Sequence, residues 1–367
     1  MKLIEKTQAL FFVAAIAVLA AAVAAHAGTE TFDVTGRPDL TPAEMRAWYF
    51  VHFRMQDGDG VIYYLANPKR KSRTSVVESM GQAMEFLALI GDRVLFEQYA
   101  ESTERYFKDK KDYYYHWEIV VNGKKGAGVT ALVDDLRIFK AYDAANAKGM
   151  GDYAQKMREL AAEIYLLETD DDHYPVSYYS NEKQSKDTGV NLFYLDVGVM
   201  DRMALIDGRW AAVSANAKKI LNGMPSDEFG FYPFRYEIDR DEFTVKETTN
   251  MVENLYTALF ALPAGRDVTS FADFLRREAK AGALYNIYKP DGTPNEKNES
   301  TAVYALAARF MHALGDRETA AFFYDRMLST QIGPDSSFMG GFSMDGNESV
   351  YAFDQLEAML AIRLTDL

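Results

Sequence analysis

Leu87-Ala88-Leu89-Ile90-Gly91-Asp92-Arg93 recurs late in the chain as Met311-His312-Ala313-Leu314-Gly315-Asp316-Arg317. Each is a short break carrying Gly and Asp between two stretches of helical apolar periodicity. Similar breaks occur at Gly149-Met150-Gly151-Asp152, Asp207-Gly208-Arg209 and Gly265-Arg266-Asp267. Longer aromatic or polar loops separate one helical pair from the next. A period of roughly 50 to 60 residues made of helical hairpins is the mark of a helical repeat architecture.

Thr41-Pro42-Ala43-Glu44 supplies an N-cap, a first-turn proline and a capping-box acid. A helix through Trp48 to Met55 should follow, stopped by the turn Asp57-Gly58-Asp59-Gly60. Further helices are expected near 75–90, 93–107, 128–146, 151–168, 189–206, 209–222, 247–262, 267–282, 299–314, 316–330 and 348–364. The count reaches about twelve if the last helix completes a hairpin with the first, which describes a closed ring. The expected fold class is all-α, an (α/α)6 toroid forming a single barrel over residues 28–367. An open superhelix is the alternative. Tyr113 to Val121 alternates aromatic and β-branched residues before Asn122-Gly123, and reads as a small β-hairpin in a loop.

The 367 residues are 48% hydrophobic, enough for a sizeable core, and carry a formal charge of −14. Such a charge repels nucleic acid, so no nucleic-acid partner is expected. With no cysteine, disulfides, thiolate metal sites, a cysteine nucleophile and a lipid-modified cysteine are all excluded from these residues. Lys2 and Lys6 precede an apolar run from Ala9 to Ala25 and the small-residue site Ala25-His26-Ala27. This reads as a signal peptide over residues 1–27, or as an uncleaved anchor through residues 7–26, placing the remainder outside the cytoplasm.

In a helical ring the helix after each long loop lies inside, with its N-terminal half facing the cleft. Carboxylates interrupt the apolar pattern there at Glu78, Asp134, Asp135, Asp196, Glu253, Glu299 and Asp354. Crowded acids split their pKa values, as general acid and base work on a glycosidic bond requires. Capping of helix N-termini explains Asp134, Glu247 and Glu299 at least as well. Aromatic loops precede several inner helices, and Trp117, Tyr114 and Tyr194 are candidate sugar contacts. Candidate substrate-binding residues are therefore Trp117, Tyr114, Asp134, Tyr194, Asp196, Glu299 and Asp354. Few histidines, none at metal-ligand spacing, and the missing downstream acid after Asp57–Gly60 leave no metal and no cofactor expected.

Two stretches resemble glycoside hydrolase family 8, the inverting endoglycanases built on an (α/α)6 barrel. Val77-Glu78-Ser79-Met80-Gly81-Gln82-Ala83-Met84 is similar to that family's Ser-Glu-Gly-Gln-x-Tyr-Gly-Met segment, whose glutamate is the general acid. Trp117, Asn122-Gly123 and Ala131-Leu132-Val133-Asp134-Asp135-Leu136-Arg137-Ile138 resemble its tryptophan and Ala-Thr-Asp-Ala-Asp-Leu-Asp-Ile helix. The forms Glu-Ser-Met-Gly and Asp-Asp-Leu-Arg-Ile are closer still to divergent members found with bacterial exopolysaccharide synthesis operons.

The resemblance implies Glu78 as general acid and Asp135 as a catalytic-site neighbour. Val133 stands where the family has its first aspartate. It implies a base on a later inner helix, for which Glu253 is the candidate, with Asp239 and Asp241 as rivals. The implied function is an extracytoplasmic, inverting endo-glycosidase acting on a bacterial exopolysaccharide or β-glucan-like polymer. The implied partners are that polysaccharide and a cell-envelope or exopolysaccharide synthesis and export system. Two alternatives share the barrel: a non-catalytic polysaccharide-binding or export-assisting protein, and a polysaccharide lyase or uronyl hydrolase.

Overall fold

Apolar residues on every face distinguish one set of helices from the other in the computed structural model. The structure describes residues 40–367 except 57, 59, 68, 69, 72, 73, 112, 113, 122–124 and 345–348. The N-terminal apolar run, Tyr113 and the Asn122-Gly123 turn lie outside the described residues. In Val77–Leu89 (α2, after α1, Pro42–Arg54) the residues from Ser79 to Ala88 are all buried. A helix that is apolar all round belongs inside a layered protein. Its successor α3 (Arg93–Tyr106) buries only Phe96, Tyr99, Ala100, Ser102 and Thr103, one stripe of an outer helix.

The alternation continues along the chain. Inner helices are α4 (Leu132–Ala147), α6 (Val197–Ala204), α8 (Met251–Ala261), α10 (Thr301–Ala313) and α12 (Ala352–Leu364). Between them run the outer helices α5 (Ala154–Glu168), α7 (Trp210–Gly223), α9 (Thr269–Ala281) and α11 (Arg317–Leu328). Neighbouring inner helices pack on one another, and α12 packs on α2, which closes the ring. The first helix completes the last hairpin: Gln355 Nε2 donates to the Ala47 carbonyl at 3.0 Å, and Arg363 pairs with Glu44 at 2.7 Å. Residues Ala43–Leu367 cluster as one compact unit, an (α/α)6 barrel. No helix among the described residues is long and apolar enough to cross a membrane.

The repeated joints behave alike. Gly91 and Gly315 adopt φ of +73° and +77°, and the following Asp92 and Asp316 cap α3 and α11 by accepting from Leu95 N and Thr319 N. The helix expected over 189–206 is instead divided. Gly189–Asn191 pairs with Arg235–Glu237 as strand, Leu192–Tyr194 forms one 3-10 turn, and Asp196 then caps α6. The long loops also hold more strand than the single hairpin expected, in five small sheets among the described residues. Strands of two or three residues are too short to display a period-two pattern in sequence. Their register matters for the site: Val76 pairs with Glu118, and Leu65 with Tyr351, tying the first and last loops together at the mouth.

Candidate active site

The N-terminal ends of α2, α4 and α8 converge on an open cleft of about 520 Å³. Pairing of Thr74–Val76 with Glu118–Val120 carries Trp117 to the start of α2, where its carbonyl accepts from Val77 N at 2.9 Å. Trp117 is 39% and Tyr178 37% exposed, so both rings present open faces to the cleft. Phe193, Tyr194 and Phe353 add further aromatic surface to the same walls. A concave, partly aromatic groove with carboxyls at its floor suits a chain of pyranose rings.

On that floor, Arg137 joins two acids. Its Nη1 lies 2.6 Å from Glu78 Oε1 and 3.0 Å from Asp134 Oδ1. Asp134 and Arg137, three residues apart on α4, share a helix face, whereas Asp135 must point elsewhere. Gly81 eases the close approach of α2 and α4, because a Cβ there would stand a tight 3.1 Å from Arg137 Cβ. Burial raises the Glu78 carboxyl above its ordinary value of 4.5, while Arg137 draws it down and Glu357 pushes it up. Asp134 is pushed up to about 8, chiefly by burial and then by the Glu78 charge, with Arg137 opposing.

Below the floor the network continues across the barrel axis. The Arg137 guanidinium lies 5.0 Å from the Tyr256 ring centre, and the Tyr256 hydroxyl donates to Glu357. Glu357 also accepts from Gln82 Nε2 at 2.6 Å and pairs with Arg309 at 2.6 Å. Side chains from α2, α4, α8, α10 and α12 thus meet in one buried set of charges.

The remaining candidates fall in different places. Glu253 lines the cleft, but its carboxylate pairs with Lys246 at 2.8 Å, and Lys246 in turn sits 3.5 Å over the Phe234 ring. Tyr194 reaches the cleft as well. Tyr114 is buried beneath its loop against His116 and Tyr179. Asp354 accepts from Ala302 N at 2.7 Å at the start of α10, and burial raises it to about 6. Glu299 pairs with Arg326 at 2.6 Å and accepts from the Tyr304 hydroxyl. Asp196, besides capping α6, lines a separate hollow of about 310 Å³ with Lys140, Arg202 and Arg309. The structure therefore brings Glu78, Asp134, Trp117, Tyr194 and Glu253 together and leaves Asp135, Tyr114, Asp196, Glu299 and Asp354 outside the cleft wall. Among the described residues no three acids or histidines are grouped to hold a metal ion.

Asp135 instead faces the outer wall, buried beside Glu168 of α5. Burial, followed by the charges of Glu168 and Asp134, drives it well above its ordinary range. Glu168 is raised to about 8 by burial, although Thr130 and Asp135 beside it pull the other way. The native state thus holds protons that the unfolded chain gives up above its ordinary values of 3.8 and 4.5. Bound protons are then more numerous in the native state, so stability falls as pH rises from about 4 to about 8. Glu168→Gln, which keeps the shape of the protonated acid, should flatten that fall; thermal melts across this range check it. An unchanged slope would remove Glu168 from the account.

Arg137, Tyr256, Lys246 and Glu357 were not among the residues the sequence pointed to. Arg137 carried a readable sign, since it stands three residues after Asp134 on an otherwise apolar inner helix. Glu357 and Tyr256 carried none, because their partners lie on helices far away in the chain.

No family model matches the chain. A Bacillus subtilis (strain 168) protein named "Putative lipoprotein YdaJ" is 31% identical over 354 residues, covering 92% of each chain. Among solved structures, a novel alpha-amylase from Clostridium perfringens superposes with a TM-score of 0.79 at 23% identity, over 88% of this chain and 97% of that one. The endoglucanase Cel10, a family 8 glycosyl hydrolase from Klebsiella pneumoniae, superposes at 0.62 with 14% identity, over 86% and 98%. At such identities the likeness is one of fold, that of the family 8-like (α/α)6 barrels.

Proposed function

We propose, for a chain that belongs to the family of YdaJ and has a family 8-like (α/α)6 barrel, that the cleft hydrolyses a polysaccharide. The observation that supports this reading is the pairing of Glu78 and Asp134 through one guanidinium at the floor of an aromatic-walled groove. A carboxyl pair that shares one cation can keep a proton and deliver it through its more exposed member to a leaving glycosidic oxygen. Glu78 is the general acid in this reading. Glu253, on the opposite helix α8, is the base that activates water, giving single displacement with inversion. The open groove favours attack within a polymer, and the substrate class is a bacterial exopolysaccharide or a β-glucan-like chain. An extracytoplasmic location follows from the N-terminal apolar run acting as a signal peptide or anchor. The relative's name speaks of a lipoprotein, but these residues hold no cysteine to carry a lipid.

The test is release of reducing ends from carboxymethylcellulose, starch and bacterial exopolysaccharides by the purified chain. Retention of a polymer without cleavage would replace the hydrolase by a polysaccharide-binding protein on the same barrel. Trp117→Ala removes the exposed ring at the groove wall and should weaken polymer affinity about fivefold, the worth of one aromatic contact. Affinity electrophoresis measures this whether or not the polymer is cut; unchanged migration would show that Trp117 does not touch sugar.

A further inference from the structure

The acid pair has two carboxyls and one shared cation. Around it stand the Tyr256 ring on α8, Glu357 on α12 with Arg309 of α10 as its own partner, and Tyr194 from the loop before α6. Behind Asp134 lie Asp135 and Glu168, neither of them cationic. Lys140, the next basic side chain on α4, is taken by Glu85 at 2.8 Å. Arg137 is therefore the guanidinium held between Glu78 and Asp134, and one positive charge cannot balance two negative ones when one of them is buried. The contacts are unequal: 2.6 Å to Glu78 against 3.0 Å to Asp134, with side-chain exposures of 25% and 8%.

We infer that Arg137 is a positioning residue that fixes a single proton on the Glu78–Asp134 pair, resident on Asp134 while Glu78 stays ionised against the guanidinium. The inference rests on the hydrolase reading only for its use, not for its existence. In catalysis the pair gives up that proton through Glu78, its more exposed member, to the glycosidic oxygen, which takes the electron pair of the breaking bond. Water oxygen forms the new bond to the anomeric carbon and passes its proton to the base. The base then releases its proton to solvent, and solvent returns one to the pair. Val133, at the position where family 8 has an aspartate, keeps a third negative charge off this floor, and Arg137 replaces another.

The experiment is a pH titration of the protonated-carboxyl infrared band in the whole chain without substrate. Asp134→Asn should remove one protonated carboxyl from the difference spectrum at pH 7. Full retention of that band would overturn the assignment. Arg137→Leu should raise the Glu78 midpoint by about 1–3 pH units, the usual effect of losing an adjacent opposite charge. The protonated share of Glu78 at pH 7 then rises, whereas Arg137→Lys leaves it unchanged. A folded Arg137→Leu chain with an unaltered titration also overturns it, and the Asp134→Asn result decides the matter if that variant does not fold. With hydrolysis as readout, Arg137→Leu should move the pH dependence of turnover upward together with the Glu78 midpoint. If the infrared titrations come out as expected and no polymer is cleaved, the hydrolase reading fails and the pair stands.

Discussion

Glu78→Gln should lower turnover by about 10²–10⁴-fold, the range for removing a general acid, with little change in polymer affinity. The amide keeps the volume and can still accept from Arg137, so helix α2 and the contact at 2.6 Å have no reason to rearrange. What it loses is the ability to take and release a proton. The far-ultraviolet circular dichroism and the thermal midpoint should stay close to wild type, while reducing-end release falls to background. A substrate with an activated leaving group, which needs no protonation, should recover much of the rate. Wild-type cleavage by the variant would exclude Glu78 as the acid.

The largest effect on stability is expected at Glu357→Ala. Glu357 is 1% exposed and accepts from Gln82, Tyr256 and Arg309, each from a different inner helix. Its removal leaves the Arg309 guanidinium buried without its carboxylate, a loss of about 3–5 kcal/mol. It also leaves Tyr256 and Gln82 without their shared acceptor. Urea unfolding should show a midpoint shift of that size, and a shift below about 1 kcal/mol would mean that water or a rearranged carboxylate replaces Glu357. Glu357→Gln should be milder, since its carbonyl oxygen still accepts one of the three donors. Because Glu357 also pushes the Glu78 carboxyl upward, the Gln variant should lower the pH at which Glu78 ionises.

Position along α4 shows how far sequence reading reaches. Two adjacent acids, Asp134 and Asp135, interrupt an apolar run, and the sequence reading gave Asp134 to capping at least as readily as to the site. A helix separates neighbours by about 100°, so one acid meets Arg137 and Glu78 while the other is turned toward Glu168. The family resemblance favoured Asp135 for the site, and the fold brings Asp134 there instead. Asp196, Asp354 and Glu299 were legible as acids at inner helix starts, but their observed partners are backbone amides, Arg326 and Tyr304. A capping carboxylate and a cleft carboxylate have the same local sequence, because both sit in a helix's first turn.

The repeated Gly-Asp-Arg joint, with which the chain first declared its helical hairpins, was decisive because its physics is local. A left-handed glycine ends one helix, and the next aspartate caps its successor within a few residues. Order after the long loops likewise marked the inner helices, and Glu78 stood out beside an apolar helix start. Only tertiary structure could decide the rest, since pairing across the barrel depends on residues widely separated in sequence. Arg137 bridging Glu78 and Asp134, Lys246 engaging Glu253, and Glu357 gathering three inner helices exist only once the ring has closed. A buried charge is tolerated only with its partner, and which partner it meets is settled by packing rather than by neighbours along the chain.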